Sequence, residues 1–238
     1  MAFLCLTFKI KIFYIKASLL IIITIMKQLF IIFGAPGSGK GYFVGCLKDQ
    51  LHNLGITDYL YISTGDLLRE EIKAQTPLGK EIEQIVNSGK LVPDHIVSEL
   101  VMKAIKQDNK VKILDGYPRT VSQLADIALA KNQYQHEVIS IMRDTPEELI
   151  KERIGKRRVC RDCKATHTVD DGCCPKCGGV SEIRKDDAVI DIRLAEYQKN
   201  TQHIWIDLIG LSNAALTING FDDANEVAKD VVKLVMPQ

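Results

Sequence analysis

What the 238-residue chain lacks narrows its function first. It has no apolar run long enough for a membrane helix. The uncharged stretch Ala17–Met26 is about half of the ~20 residues a span requires, and Lys9, Lys11 and Lys16 interrupt what precedes it. It has almost no net charge, +1 from 31 basic and 30 acidic residues, so no broad field draws it to nucleic acid or to an anionic membrane. Internal repeats and low-complexity linkers are absent, which excludes a solenoid or an array of tethered modules. Dispersed cysteines are lacking too: of seven, five fall within residues 160–177, while Cys5 and Cys46 lie far away. A secreted disulfide framework would spread them, so the clustering favours a metal site in a reducing compartment. What remains is a chain of ordinary globular composition, 46% hydrophobic and 26% charged, with room for one sizeable core or a core carrying small inserted domains.

The first 26 residues contain no Asp, Glu, Gly or Pro. Their charged-then-apolar order resembles a secretion signal, but no small-residue cleavage site follows. The expectation is that translation begins at Met26 and that residues 1–25 are a non-native or disordered extension, with a weak membrane tether as the rival reading.

Downstream, "KQLFIIFGAPGSGKG" reads as an apolar strand running into a glycine-rich turn. Gly34, Gly39 and Lys40 make the spacing G-x-x-x-x-G-K. Such glycines let backbone N–H groups converge on an anion, the following helix adds the partial positive charge of its N-terminus, and the lysine reaches the outer phosphates. "DYLYIST", "KVKILDG", "HEVISIMRD" and "LTINGF" read as further strands, with helical stretches between them and a closing helix in "NEVAKDVVKLVM". Breaks are expected at Pro77-Leu78-Gly79, Gly89 and Pro93. Strands alternating with helices predict a parallel sheet covered on both faces. The third strand ends on Asp115, where folds of this kind place a carboxylate near Mg²⁺.

The cysteine cluster contains two Cys-x-x-Cys knuckles, Cys160/Cys163 and Cys174/Cys177, which supply the four thiolates of a tetrahedral zinc site. Cys173 lies outside both knuckles. A structural disulfide or a redox dithiol is the alternative.

Six motifs in order, "GAPGSGKG", "STGDLLR", "GKLVPDHIV", "DGYPRTVSQ", "RIGKRR" and "RKDD" with "RLAEY", resemble those of the adenylate kinases from Met26 to the C-terminus. The resemblance implies an α/β P-loop nucleoside monophosphate kinase: a parallel sheet core flanked by helices, with an inserted AMP-binding domain and a zinc-containing lid. The core would be 26–62, 93–155 and 188–238, the AMP-binding domain 63–92 and the lid 156–187. It further implies reversible, Mg²⁺-dependent phosphoryl transfer from ATP to AMP, giving two ADP. Such chemistry needs charge neutralisation, alignment and exclusion of water more than covalent catalysis.

By the same resemblance Lys40, Arg119, Arg157, Arg184 and Arg193 are the catalytic cations. Guanidinium forks suit phosphate oxygens. ATP would contact Gly37, Ser38, Gly39, Lys40, Gly41, Tyr42, Arg157, Thr166, His167 and Asp222. AMP would contact Thr64, Arg69, Lys90, Leu91, Val92, Gly116, Tyr117, Pro118, Arg119, Gln123, Arg184 and Arg193, with Thr64 and Gln123 on the adenine. Asp66 and Asp115 would hold the water shell of Mg²⁺, although Asp66 also suits a helix cap. Structural Zn²⁺ would stabilise a lid too small to bury a core of its own. The basic run Lys151–Arg161, taken alone, would read as a solvated helix face or a nucleic-acid patch. His52, His95, His136 and His203 lack a partner pattern and read as surface or packing residues, and Trp205 as core.

The chain departs from the family at several points. Tyr42 stands where the family has threonine, Lys156 where it has glycine, and His167 where it generally has tyrosine; the gap between knuckles is also short. The rivals are a pyrimidine nucleoside monophosphate kinase and a catalytically weakened nucleotide-binding protein using the zinc lid for partner contact. The expected protein is a cytoplasmic monomer whose partners are ATP, AMP and ADP, with neither nucleic acid nor stable membrane association.

Overall fold

A computed structural model describes residues 27–106, 111–163, 165–168 and 172–235. The expectation for residues 1–25 lies outside the described residues. Strand β1 (Lys27–Phe33) is buried along nearly its whole length, as a central strand covered on both faces must be. Around it a five-stranded parallel sheet runs in the order β2 (Tyr59–Ser63), β3 (Val111–Asp115), β1, β4 (His136–Asp144), β8 (Ala214–Asn219). The first four strands fall within the stretches the sequence predicts, and the fifth begins two residues before "LTINGF" and ends at Asn219.

The two faces of β1 feed two cores. Leu29, Ile31 and Phe33 pack with α2 (Thr64–Lys73), α3 (Pro77–Asn87), α4 (Asp94–Ile105), α5 (Leu124–Asn132) and α8 (Trp205–Leu211). Phe30 and Ile32 pack with α1 (Lys40–Asn53) and α9 (Ala224–Val235). Period-two alternation thus divides one apolar strand between two helical layers. Trp205 is core, stacked on Phe33 at 5.4 Å between ring centroids. His52, His95 and His203 are exposed and His136 is buried.

Local signals set the helix boundaries. Ser63 caps α2 by accepting from the Asp66 N–H, and Thr76 caps α3 with Pro77 in its first turn. Asp66 is therefore not the cap of α2. Parallel register brings the strand ends level: Ser63 lies opposite Asp115, Asp115 opposite Ile32, and Phe33 opposite Met142. The C-terminal ends of β2, β3, β1 and β4 thereby lie level at one edge of the sheet, where ligands of open α/β sheets bind.

After α6 (Glu147–Lys156) the chain makes a small antiparallel sheet, β6 (Thr166–His167), β5 (Arg158–Cys160) and β7 (Ser181–Glu182). A 3₁₀ turn (Lys185–Val189) and α7 (Ile190–Asn200) lead back to the core. No helix among the described residues is long and apolar enough to cross a membrane.

Candidate active site and metal centre

The loop after β1 has the conformation its glycines permit. Gly37 and Gly39 hold φ of 78° and 89°, the left-handed region that disfavours side chains, and a Cβ on Gly37 would collide with Ile150 and Ile154. Gly39 caps α1 with no side-chain hydrogen bond to its first amides, the groups that a helix N-terminus offers to an anion. Ser38 is buried, its backbone carbonyl accepting from Thr145 Oγ1 at 3.1 Å.

Lys40 crosses the loop and donates from Nζ to the Gly34 and Ala35 carbonyls at 2.9 and 2.8 Å. Desolvation pushes its ammonium down to about 8. Asp115 opposes that shift, while Arg119, Arg193 and Arg157 reinforce it. One ammonium therefore senses a carboxylate from β3 and three guanidiniums from separate parts of the chain.

Asp115 itself is held by a residue the sequence does not single out. The Tyr61 hydroxyl donates to its Oδ2 at 3.1 Å, and Lys48 Nζ lies 3.6 Å from the centre of the Tyr61 ring. Burial, reinforced by Asp115, holds the Tyr61 phenol far above its usual range, so it remains a donor at any physiological pH. Asp66, by contrast, is paired with Arg69 on the exposed start of α2.

A small pocket opens beside this group, lined by Thr64, Leu68, Leu91, Val92, Val97, Arg119 and Gln123. Thr64 Oγ1 donates to the Gly116 carbonyl at 3.0 Å, and Arg119 Nε donates to the same carbonyl at 2.7 Å. Gly116 takes φ 80°, and a Cβ there would press on Thr64 and Arg119. Tyr117 is buried behind the pocket, donating to Asp126 and sharing a 2.9 Å hydrogen bond with Ser98, and its peptide bond to Pro118 is cis. Those contacts give Tyr117 a supporting place, away from the pocket lining. Lys90 is exposed.

The structure places the remaining sequence-predicted residues in several roles. Arg157 forms an ion pair with the buried Asp187. Arg184 precedes the 3₁₀ turn and Arg193 lies on α7. Tyr42 stands outward, 66% exposed, beside Gly41, around which there is open space. Asp222 accepts from the Asn219 N–H at 3.1 Å within the turn after β8. Thr166 is exposed, and His167 Nε2 lies 2.7 Å from Ser181 Oγ.

The four knuckle cysteines converge. All of their sulfurs lie within 4.8 Å of one another, with Cys160–Cys177 at 3.5 Å and Cys163–Cys174 at 3.6 Å. A tetrahedral ion with metal–sulfur bonds of about 2.3 Å has sulfur–sulfur edges of about 3.8 Å, so the cluster fits such a metal. Burial works against ionising Cys160, but hydrogen bonds from the Cys163 and Asp162 N–H groups, together with the Cys177 and Cys163 thiols, hold its thiol below the ordinary range. Cys173 lies outside the cluster, bridged to Val180. Among the described residues 158–183, only Cys160 and Cys174 are buried. This segment has no apolar core to hold it, which is the circumstance in which a metal replaces one.

Comparison with known proteins yields one consistent result. The family model described as Adenylate kinase matches residues 32–209. The adenylate kinase of Borrelia duttonii is 37% identical over 220 residues, covering 88% of this chain and 97% of the relative. That of Caldicellulosiruptor saccharolyticus is 37% identical over 216 residues (85% and 96%), and that of Thermosipho melanesiensis 34% over 213 (85% and 96%).

Proposed function

The chain belongs to the adenylate kinase family, and from that premise we propose how its own residues carry out phosphoryl transfer from ATP to AMP. The reaction gives two ADP and is reversible, with magnesium accompanying ATP as the family implies. One observation supports the assignment of residues: the left-handed glycines Gly37 and Gly39 shape a loop that ends at the start of α1, with Lys40 folded across it and Asp115 level with the end of β1.

ATP binds with its phosphates on the loop amides of Gly37, Ser38, Gly39 and Lys40 and on the first turn of α1, where Gly41 leaves room. Lys40 leaves the Gly34 and Ala35 carbonyls for the outer phosphates. AMP enters the pocket of Thr64, Val92 and Gln123, with Arg69 and Arg119 on its phosphate and Arg184 and Arg193 spanning the transferring group. An AMP phosphate oxygen attacks the γ-phosphorus in line, the bond to the β–γ bridging oxygen breaks, and ADP leaves. The cations stabilise charge as it spreads over the transferring oxygens. Asp115, oriented by Tyr61, and Asp66 would hold the magnesium that accompanies ATP, which would neutralise phosphate charge during transfer.

Residues 63–92 act as the AMP-binding domain and 156–187 as the lid that excludes water. Cys160, Cys163, Cys174 and Cys177 would hold Zn²⁺, which would serve a structural role, since four thiolates would leave it no open position for a substrate. The protein works as a cytoplasmic monomer. An acceptor panel of AMP, CMP, UMP and GMP with MgATP tests the reading. AMP is the preferred acceptor, and equal turnover with UMP or CMP overturns it.

A further inference from the structure

Gln123 is 3% exposed yet lines the proposed acceptor pocket, and each end of its carboxamide is already engaged. Its Oε1 accepts from the Arg119 backbone N–H at 2.7 Å, and its Nε2 donates to Asp94 Oδ1 at 2.7 Å. Asp94 opens α4 and is itself fixed: its Oδ2 accepts from Thr120 Oγ1 at 2.8 Å and from the Ser122 hydroxyl. The two partners of Gln123 have opposite character: a backbone N–H donates, and a carboxylate oxygen accepts.

We infer that Asp94 is a specificity-determining residue, which locks the Gln123 carboxamide in the orientation that reads a 6-aminopurine and rejects a 6-oxopurine. A carboxamide has two lone pairs and two N–H groups. After the two bonds above, one lone pair and one N–H remain for a molecule in the pocket. A 6-aminopurine presents an acceptor at N1 beside a donor at N6, the complement of that pair. A 6-oxopurine presents a donor at N1 and an acceptor at O6, and would need the amide turned over. Turning it sets Oε1 against the Asp94 carboxylate and Nε2 against the Arg119 N–H, and leaves all four groups unpaired in a buried place. Sites built from fixed hydrogen-bond partners discriminate in this way more strongly than apolar pockets do.

The inference rests on the reading that this pocket holds the acceptor's base, and the test separates the two. IMP serves as probe because it differs from AMP only at positions 1 and 6 of the purine. The measurement is the ratio of kcat/KM for AMP to that for IMP, with kcat and KM resolved. Asparagine at position 94 can present either face to Gln123, so Asp94→Asn lowers the ratio at least tenfold, through a gain with IMP and a higher KM for AMP, with kcat for AMP within a few-fold of the parent. Asp94→Ser, whose hydroxyl both donates and accepts, moves the ratio the same way and serves if the asparagine variant folds poorly. A folded variant with an unchanged ratio, or with an equal loss for both acceptors, overturns the lock. Gln123→Met collapses the ratio if the base is read here; an unchanged ratio in that variant overturns the pocket assignment itself.

Discussion

Lys40→Met separates the electrostatic cost of the phosphate loop from its catalytic use. Desolvation, reinforced by three arginines, brings the Lys40 ammonium down to about 8 against an ordinary value of 10.5. At about 1.4 kcal/mol per pKa unit the shift has a ceiling of roughly 3 kcal/mol, and partial exposure of the residue reduces it to about 1–3. The folded pKa lies below the unfolded one, so between pH 8 and 10.5 the unfolded chain holds the extra proton and stability rises with pH. This contribution is complete above 10.5 and is lost as pH falls through 8. Methionine has no such proton. Urea unfolding of both proteins without nucleotide at pH 7, 8, 9 and 10 gives their difference in ΔG, and titrations common to both cancel. The parent gains about 1–3 kcal/mol on the variant across that range. A phosphate on the loop restores the ammonium, so saturating ATP flattens the difference. At pH 7 the variant nevertheless loses about 10²–10³ in kcat, the scale of one preorganised charge at a transition state. A difference that stays flat or falls with pH without nucleotide refutes the desolvated ammonium.

Three further outcomes are expected. Purified protein binds one zinc per chain; Cys160→Ser or Cys174→Ser releases it and destabilises residues 158–183, whereas Cys173→Ser retains it, as metal analysis and limited proteolysis will report. Retention in Cys174→Ser with loss in Cys173→Ser would reverse the ligand assignment. Arg119→Ala lowers turnover by about a hundredfold or more with little change in ATP affinity, because it holds the phosphate of the attacking AMP rather than ATP; unchanged turnover removes it from the mechanism. Tyr42→Thr raises kcat/KM about ten- to a hundredfold by restoring a hydroxyl small enough to bond a phosphate, worth roughly 1.5–3 kcal/mol. No gain there, with both nucleotides varied, means that the phosphate site has been rebuilt around the outward-facing ring.

Much of this protein is determined by short-range rules that a sequence displays directly. The phosphate loop needs left-handed backbone at Gly37 and Gly39, and only glycine adopts it without strain. Strand β1 is apolar from Leu29 to Phe33 because both of its faces are covered there, and Ser63, Thr76 and Pro77 mark helix starts within one turn of themselves. Two Cys-x-x-Cys knuckles announce four thiolates because each pair is a local turn. What only the tertiary structure decided are relations between groups far apart in the chain. Parallel register sets Ser63, Asp115 and the start of the phosphate loop at one level, and so lets Tyr61 donate to Asp115 and Asp115 act on Lys40. Asp94 and Gln123 stood in two separate motifs, and their hydrogen bond exists only because α4 begins beside the loop that follows β3. Arg157 reads as a cation for phosphate, yet its ion pair with Asp187 depends on where the chain returns after the small sheet. Periodicity, glycine and caps act over a few residues and leave a pattern in sequence. A hydrogen bond or a charge acts through space over a few ångströms, and only the folded chain brings those atoms within that range.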